Sequence, residues 1–178
     1  MEKVLTRPIM LDQRISAVLG VALFTALTAL GAFVRLPLPF TPVPLTLQVF
    51  FVLLSAMVLG PKAAVSQGLY IALGLAGLPV FAGAAAGFAH LSGPTGGYLL
   101  GFMAAAWTVA RIKGSGTFRN VLALLAGLAV IYLLGSVQLG SWLRLGLVKT
   151  IQLGVMPFIL GDLLKLAAVL AAVRLIKR

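Results

Sequence analysis

The sequence predicts an all-α membrane protein: one bundle of six transmembrane helices over residues 1–178, with no second domain and both termini in the cytoplasm. Three observations lead there. Hydrophobic residues make up 61% of the chain and charged residues only 10%, with a mean hydropathy of +1.14, whereas soluble domains carry about 25% charged residues. The 178 residues leave room for six apolar runs of about 20 residues, each about 30 Å long as a helix. The basic residues fall alternately on the two sides of those runs.

Span 1, near residues 15–34, follows a polar segment in which Glu2 and Asp12 stand among basic residues. No short apolar run with a small-residue cleavage site precedes the span, so no removed signal peptide is expected. Within it, Ala22 and Ala26 stand four apart, with Gly20, Ala29, Gly31 and Ala32 nearby. Small residues at that spacing let helices approach closely, either inside the bundle or at a face that docks another membrane subunit.

The loop before span 2 carries Pro37, Pro39, Pro42 and Pro44, which forbid helix and favour a stiff, extended chain. Span 2 is expected near 45–60, with Gln48 directly after the prolines, and span 3 near 62–78 with Gln67 inside it. The next connection, Pro79 to Tyr98, is rich in glycine yet apolar and aromatic. Such backbone survives at membrane depth only when buried in protein or lining a cavity, which makes this segment a lid or re-entrant wall.

Spans 4, 5 and 6 are expected near 97–112, 120–136 and 156–174. Thr95, Tyr98 and Gln152 lie at span ends; Tyr98 reads either as an interfacial aromatic or as a ligand contact, and Gln67 as interhelical glue or a contact. The last span places Asp162 three residues from Lys165 on one helix face. Ionisable groups at bilayer depth are costly unless paired and by default mark a functional site. The pair is either a structural ion pair or a polar anchor for a ligand head. Gln48, Tyr98 and close backbone approach at Gly83, Gly96 and Gly97 complete the candidate substrate-binding set.

With a cytoplasmic N-terminus, the inner segments hold Lys3, Arg7, Arg14, Lys62, Arg111, Lys113, Arg119, Arg174, Lys177 and Arg178, and the outer ones Arg35, Arg144 and Lys149. That asymmetry satisfies the positive-inside rule with an even number of spans. The net charge of +11 is therefore topological, and no basic motif supports nucleic-acid binding. The chain has no cysteine and one histidine, His90, which removes disulfides, thiolate metal sites and a His-rich metal centre. No phosphate-binding loop motif occurs, so any ATP-driven step belongs to a partner. An intramembrane hydrolase using His90 and Ser92 is a competing class, lacking an evident third orienting group. A passive channel is another.

The chain also resembles a known family. Pro42-Val-Pro-Leu-Thr-Leu-Gln48, Leu59-Gly-Pro-Lys62, Ser66-Gln67 with Tyr70, Gly77-Leu-Pro-Val-Phe-Ala-Gly83, Gly93-Pro-Thr-Gly-Gly-Tyr-Leu-Leu-Gly-Phe102 and Gly154-Val-Met-Pro-Phe-Ile-Leu-Gly-Asp-Leu-Leu-Lys165 are similar, in order and spacing, to the BioY proteins, the biotin-binding S components of energy-coupling factor (ECF) transporters. The resemblance covers about residues 14–175. It implies a multi-pass protein of the cytoplasmic membrane that binds biotin in an outward-facing cavity closed by the loop between spans 3 and 4. It implies docking, through an Ala-x-x-x-Ala pattern matched by Ala22 and Ala26, on a transmembrane coupling subunit attached to two ATPase subunits. It implies ligand contacts from Asp162 and Lys165, no catalytic residue, no metal and no cofactor, ATP being used only by the partners. The shared architecture also admits an S component for another vitamin. One departure stands out: the stretch after Gly83, usually richer in glycine and small polar residues, is here Ala84-Ala85-Ala86.

Overall fold

The computed structural model describes residues 13–176. The expectations that rest on Glu2, Lys3, Arg7, Asp12, Lys177 and Arg178 lie outside the described residues. Eight helices and one hairpin follow in order: α1 (Gln13–Phe33), β1 (Arg35–Leu38), β2 (Thr41–Thr46), α2 (Gln48–Leu59), α3 (Lys62–Leu75), α4 (Phe88–Ser92), α5 (Gly96–Ile112), α6 (Thr117–Leu143), α7 (Leu147–Gly154) and α8 (Ile159–Ile176).

Helices of 12 to 27 residues stand where the six apolar runs were read, with several ends displaced. α2 begins at Gln48 rather than 45 because Pro42 and Pro44 hold the preceding residues in strand β2. α3 stops at Leu75, ahead of Gly77 with φ of 97°. α6 runs 27 residues, well past 136, to a left-handed cap at Arg144. α8 starts at Ile159, two residues beyond Pro157. Two of the described helices, α1 and α6, are long and apolar enough to cross a membrane by length and composition alone. α2, α3 and α5 have 12, 14 and 17 residues, and α8 carries Asp162, Lys165 and Arg174.

The proline-rich loop is a β-hairpin with Arg35 opposite Thr46, Leu36 opposite Leu45 and Leu38 opposite Thr41. The register breaks between Leu36 and Leu38, at Pro37, which has no N–H for the ladder. The hairpin returns to α1 through the Leu47 N–H, which donates to the carbonyls of Gly31 and Val34 at 3.2 and 3.1 Å.

α5 and α6 pack most closely. Gly97 leaves room for the Leu134 carbonyl, Gly101 for the Ile131 backbone and Gly135 for the Tyr98 ring. The outward faces are apolar, with Leu23, Leu30, Trp107, Leu133 and Leu160 all more than half exposed. Thr25, Thr28, Gln48, Ser55, Ser66, Gln67 and Asp162 are buried instead. Polar groups inside and apolar groups outside suit a lipid environment, where interior polar side chains must find partners within the bundle. The Gln67 amide nitrogen donates to Thr28 and Ser55 at 3.3 and 3.4 Å, joining α3 to α1 and α2.

The connection from α3 to α5 is ordered by an aromatic plug. Phe81 is fully buried in the notch left by Gly74, stands edge-on to Tyr70 at 5.6 Å and stacks on His90 at 5.1 Å. The Gly87 N–H donates to the Gly74 carbonyl at 2.7 Å, and a bridge joins Phe81 to Ala85. Positive φ at Gly83, Ala84 and Gly87 turns the chain back on itself.

Candidate functional site

β2, the start of α2, the Phe81 connection, α5, α6 and α8 converge on a partly open cavity with about 570 Å³ of space between its walls, some of it continuous with the outside. Val43, Val49, Leu99, Phe102, Ile131 and Phe158 form apolar walls, and Gln48, His90, Thr95, Tyr98, Tyr132, Asp162 and Lys165 supply polar atoms.

Asp162 and Lys165 both line it. The Lys165 ammonium donates to Asp162 Oδ1 at 2.6 Å, with both side chains largely buried. The Tyr132 hydroxyl donates to Asp162 Oδ2 at 2.8 Å. Each carboxylate oxygen therefore has one fixed donor and spare lone pairs, so it can still accept from a ligand N–H, while Lys165 retains two N–H groups for a carbonyl. The pair is thus both an ion pair and part of the cavity lining.

Gln48, at the start of α2, lies at another wall. Its Oε1 accepts from the Thr46 hydroxyl at 3.3 Å and its amide donates to the Tyr70 hydroxyl at 2.6 Å. Tyr70 in turn donates to the Val80 carbonyl at 3.2 Å, linking the cavity to the Phe81 connection. Tyr98 presents its ring to the cavity while its hydroxyl donates to the Gly154 carbonyl at 2.7 Å.

The three glycines stand elsewhere. Gly96 and Gly97 are buried against the carbonyls of Leu91 and Leu134, where a Cβ would clash, and they are not among the residues lining this cavity. Gly83 is exposed and faces the Arg35 guanidinium. Ala22 and Ala26 are exposed along α1, beside a shallow groove shared with Leu69 and Leu73 of α3. His90 accepts or donates a hydrogen bond with the Thr95 hydroxyl at 3.3 Å, whereas the Ser92 hydroxyl donates to the Ala89 carbonyl. Ser92 and His90 are thus engaged with different partners. Burial pushes the His90 imidazole pKa below its ordinary value.

Tyr132, Val43, Thr46, Phe102 and Phe158 had not been singled out. Tyr132 is the informative omission: a tyrosine in the middle of an apolar helix is the one local signal that a polar partner waits on a neighbouring element.

The whole described bundle has known counterparts. Residues 4–178 match the BioY family. The chain is 48% identical to a probable biotin transporter BioY of Pyrococcus horikoshii, over 87% of this chain and 93% of that one. It is 45% identical to the biotin transporter BioY of Thermotoga maritima, over 87% and 92%. Its structure superimposes with a TM-score of 0.86 and 26% identity on a crystal structure of the S-component for biotin from an ECF-type ABC transporter, covering 96% of each chain. With a family match over nearly its full length, relatives of this identity and the same fold, the chain belongs to the BioY family.

Proposed function

We propose that this protein is the biotin-binding, substrate-specific membrane subunit of an ECF-type transporter. The observation that carries the reading is the hydrogen-bonded Tyr132–Asp162–Lys165 cluster in the lining of a cavity with largely apolar walls. Biotin is an apolar bicycle and alkyl chain with a ureido group at one end and a carboxylate at the other. Asp162 can accept from a urea N–H and Lys165 can donate to the urea carbonyl, while the apolar walls take the ring and chain.

In this reading α1, α2, α3, α5, α6 and α8 are the six spans of a multi-pass protein of the cytoplasmic membrane, with both ends inside. The exposed apolar outer faces and the distribution of basic residues support that topology. The exposure of Ala22 and Ala26 supports their use in docking a transmembrane coupling subunit. Two ATPase subunits attached to that partner supply the energy. The chain alone catalyses no reaction and holds no cofactor or metal; it binds biotin and does not accumulate it.

The test is equilibrium binding of radiolabelled biotin to the purified protein in detergent, with thiamine and riboflavin as competitors. Wild type is expected to bind saturably and selectively, and Asp162→Asn and Lys165→Ala are expected to bind about tenfold more weakly or worse, the loss of one charged hydrogen bond being about 1.5 to 3 kcal/mol. A monodisperse wild-type protein that binds a different vitamin, or none, would reject the biotin assignment.

A further inference from the structure

A second face of α6 lines an open groove that the ligand cavity does not account for. Ala129, Leu133, Val137 and Ser141 recur along it every four residues, and Leu145, Leu147 and Ile151 form its end at the corner into α7. Ser141 and Thr150 turn their hydroxyls to the carbonyls four residues back, of Val137 and Gly146, at 2.8 and 3.1 Å, so the groove wall is largely hydrocarbon. From Ala129 to Ser141 it follows about 18 Å of helix, close to the roughly 15 Å of hydrocarbon in one leaflet of a bilayer.

The corner end of the groove is basic. Arg144 caps α6 and adjoins Leu145, while Lys149 lies in the first turn of α7, next to Thr150 and two residues from Leu147. Both cations are exposed. Among the described residues the one carboxylate side chain, that of Asp162, is held by Tyr132 and Lys165, which leaves Arg144 and Lys149 without an acidic partner there. Around them Trp142, Leu147, Val148 and Ile151 are exposed, the mix of aromatic, aliphatic and basic side chains of a segment that sits in the headgroup region.

We propose that this corner binds an anionic phospholipid of the outer leaflet, with the phosphate between Arg144 and Lys149 and one acyl chain lying in the groove along α6. The inference rests on the topology proposed above, which places the α6–α7 corner outside. A zwitterionic lipid would fill the same groove but brings no net charge to the two cations, so hydrocarbon sets the fit and charge sets the selectivity. The site is separate from the ligand cavity: of the residues lining the two, Tyr132 alone is shared.

The chain's two tryptophans make the test spectroscopic. Trp107→Phe leaves Trp142, one residue beyond Ser141, as the sole reporter. The full chain with that change is reconstituted in phosphatidylcholine vesicles holding a minor fraction of phosphatidylglycerol, and one lipid or the other carries bromines near the headgroup end of its acyl chains. Brominated phosphatidylglycerol is expected to quench Trp142 with a relative association constant about fivefold or more above that of brominated phosphatidylcholine, the gain from one cation at the surface. Arg144→Asn with Lys149→Gln is expected to bring that ratio to about one and to leave a monodisperse protein, asparagine being tolerant of the left-handed backbone at position 144. Arg144→Lys with Lys149 intact is expected to keep the preference. Equal quenching by the two lipids, a preference that survives the double change, or a corner that neither lipid quenches because protein covers it overturns the site. Lys149→Cys, in a chain with no other cysteine, tests the topology separately. Labelling by a membrane-impermeant maleimide in intact cells supports the outward corner, and labelling only after lysis rejects the topology itself.

Discussion

Tyr132 and Lys165 hold opposite oxygens of one carboxylate, and only half of that arrangement could be read from the chain. Asp162 and Lys165 are three apart on a helix, so their meeting is local geometry. Tyr132 is 30 positions away on α6 and reaches Asp162 through the packing of two helices. Tyr132→Phe should lower stability in detergent by about 1 kcal/mol, the usual net worth of such a bond, and weaken biotin binding severalfold by freeing the carboxylate to turn; thermal unfolding and radioligand binding read the two effects. Gly96 and Gly97 are packed against the backbone of Leu91 and Leu134, and a motif glycine that serves close helix packing reads the same in a sequence as one that serves a ligand. His90 adds a pH dependence. Its folded pKa is lowered by burial, so its stabilising contribution is present above the unfolded value of about 6.5 and is lost as pH falls through the folded one. His90→Phe keeps the stacking on Phe81 and does not titrate; the melting-temperature advantage of wild type over this variant should shrink between about pH 8 and about pH 5.

Elements were legible where composition is decisive and illegible where it is balanced by tertiary contacts. The long apolar runs became helices. The four prolines gave an extended segment, but pairing it into a hairpin depends on residues up to eleven apart meeting in register, such as Arg35 with Thr46. α7 was missed because its eight residues mix Lys149, Thr150 and Gln152 with Leu147 and Ile151 in a span too short for periodicity to register. The α3–α5 connection read as a glycine-rich wall, and the structure adds what fixes it. Gly74→Ala would place a methyl group in the space of the Phe81 ring; overpacking of this kind costs about 1–3 kcal/mol, and faster proteolysis within residues 79–95 should report the displaced plug. Ala84 is exposed and held at φ of 57°, a conformation that costs an L-residue about 1 kcal/mol. Ala84→Gly should therefore leave the melting temperature unchanged or raised, despite the added freedom of the unfolded chain.

For the molecule as a whole, mean hydropathy and the placement of cations sufficed to read a helical membrane bundle, because lipid imposes a single solvent on every outward face. The cavity was not readable in the same way: its walls come from β2, α2, α5, α6 and α8 at once. Ligand binding to so distributed a site should stabilise the entire bundle, by about 2.7 kcal/mol at a biotin concentration one hundred times the dissociation constant; at the same concentration a tenfold weaker Lys165→Ala should gain about 1.4 kcal/mol or less, and a correspondingly smaller thermal shift would show that coupling. The Asp162–Lys165 pair also has an electrical consequence. Joined one turn apart on α8, the two charges travel as a single neutral unit however the helix is reoriented. Tilting it through the membrane voltage therefore does no net work on the pair, whereas Asp162→Asn would leave one bare positive charge, with a voltage penalty of about 2.3 kcal/mol for each 100 mV it crosses.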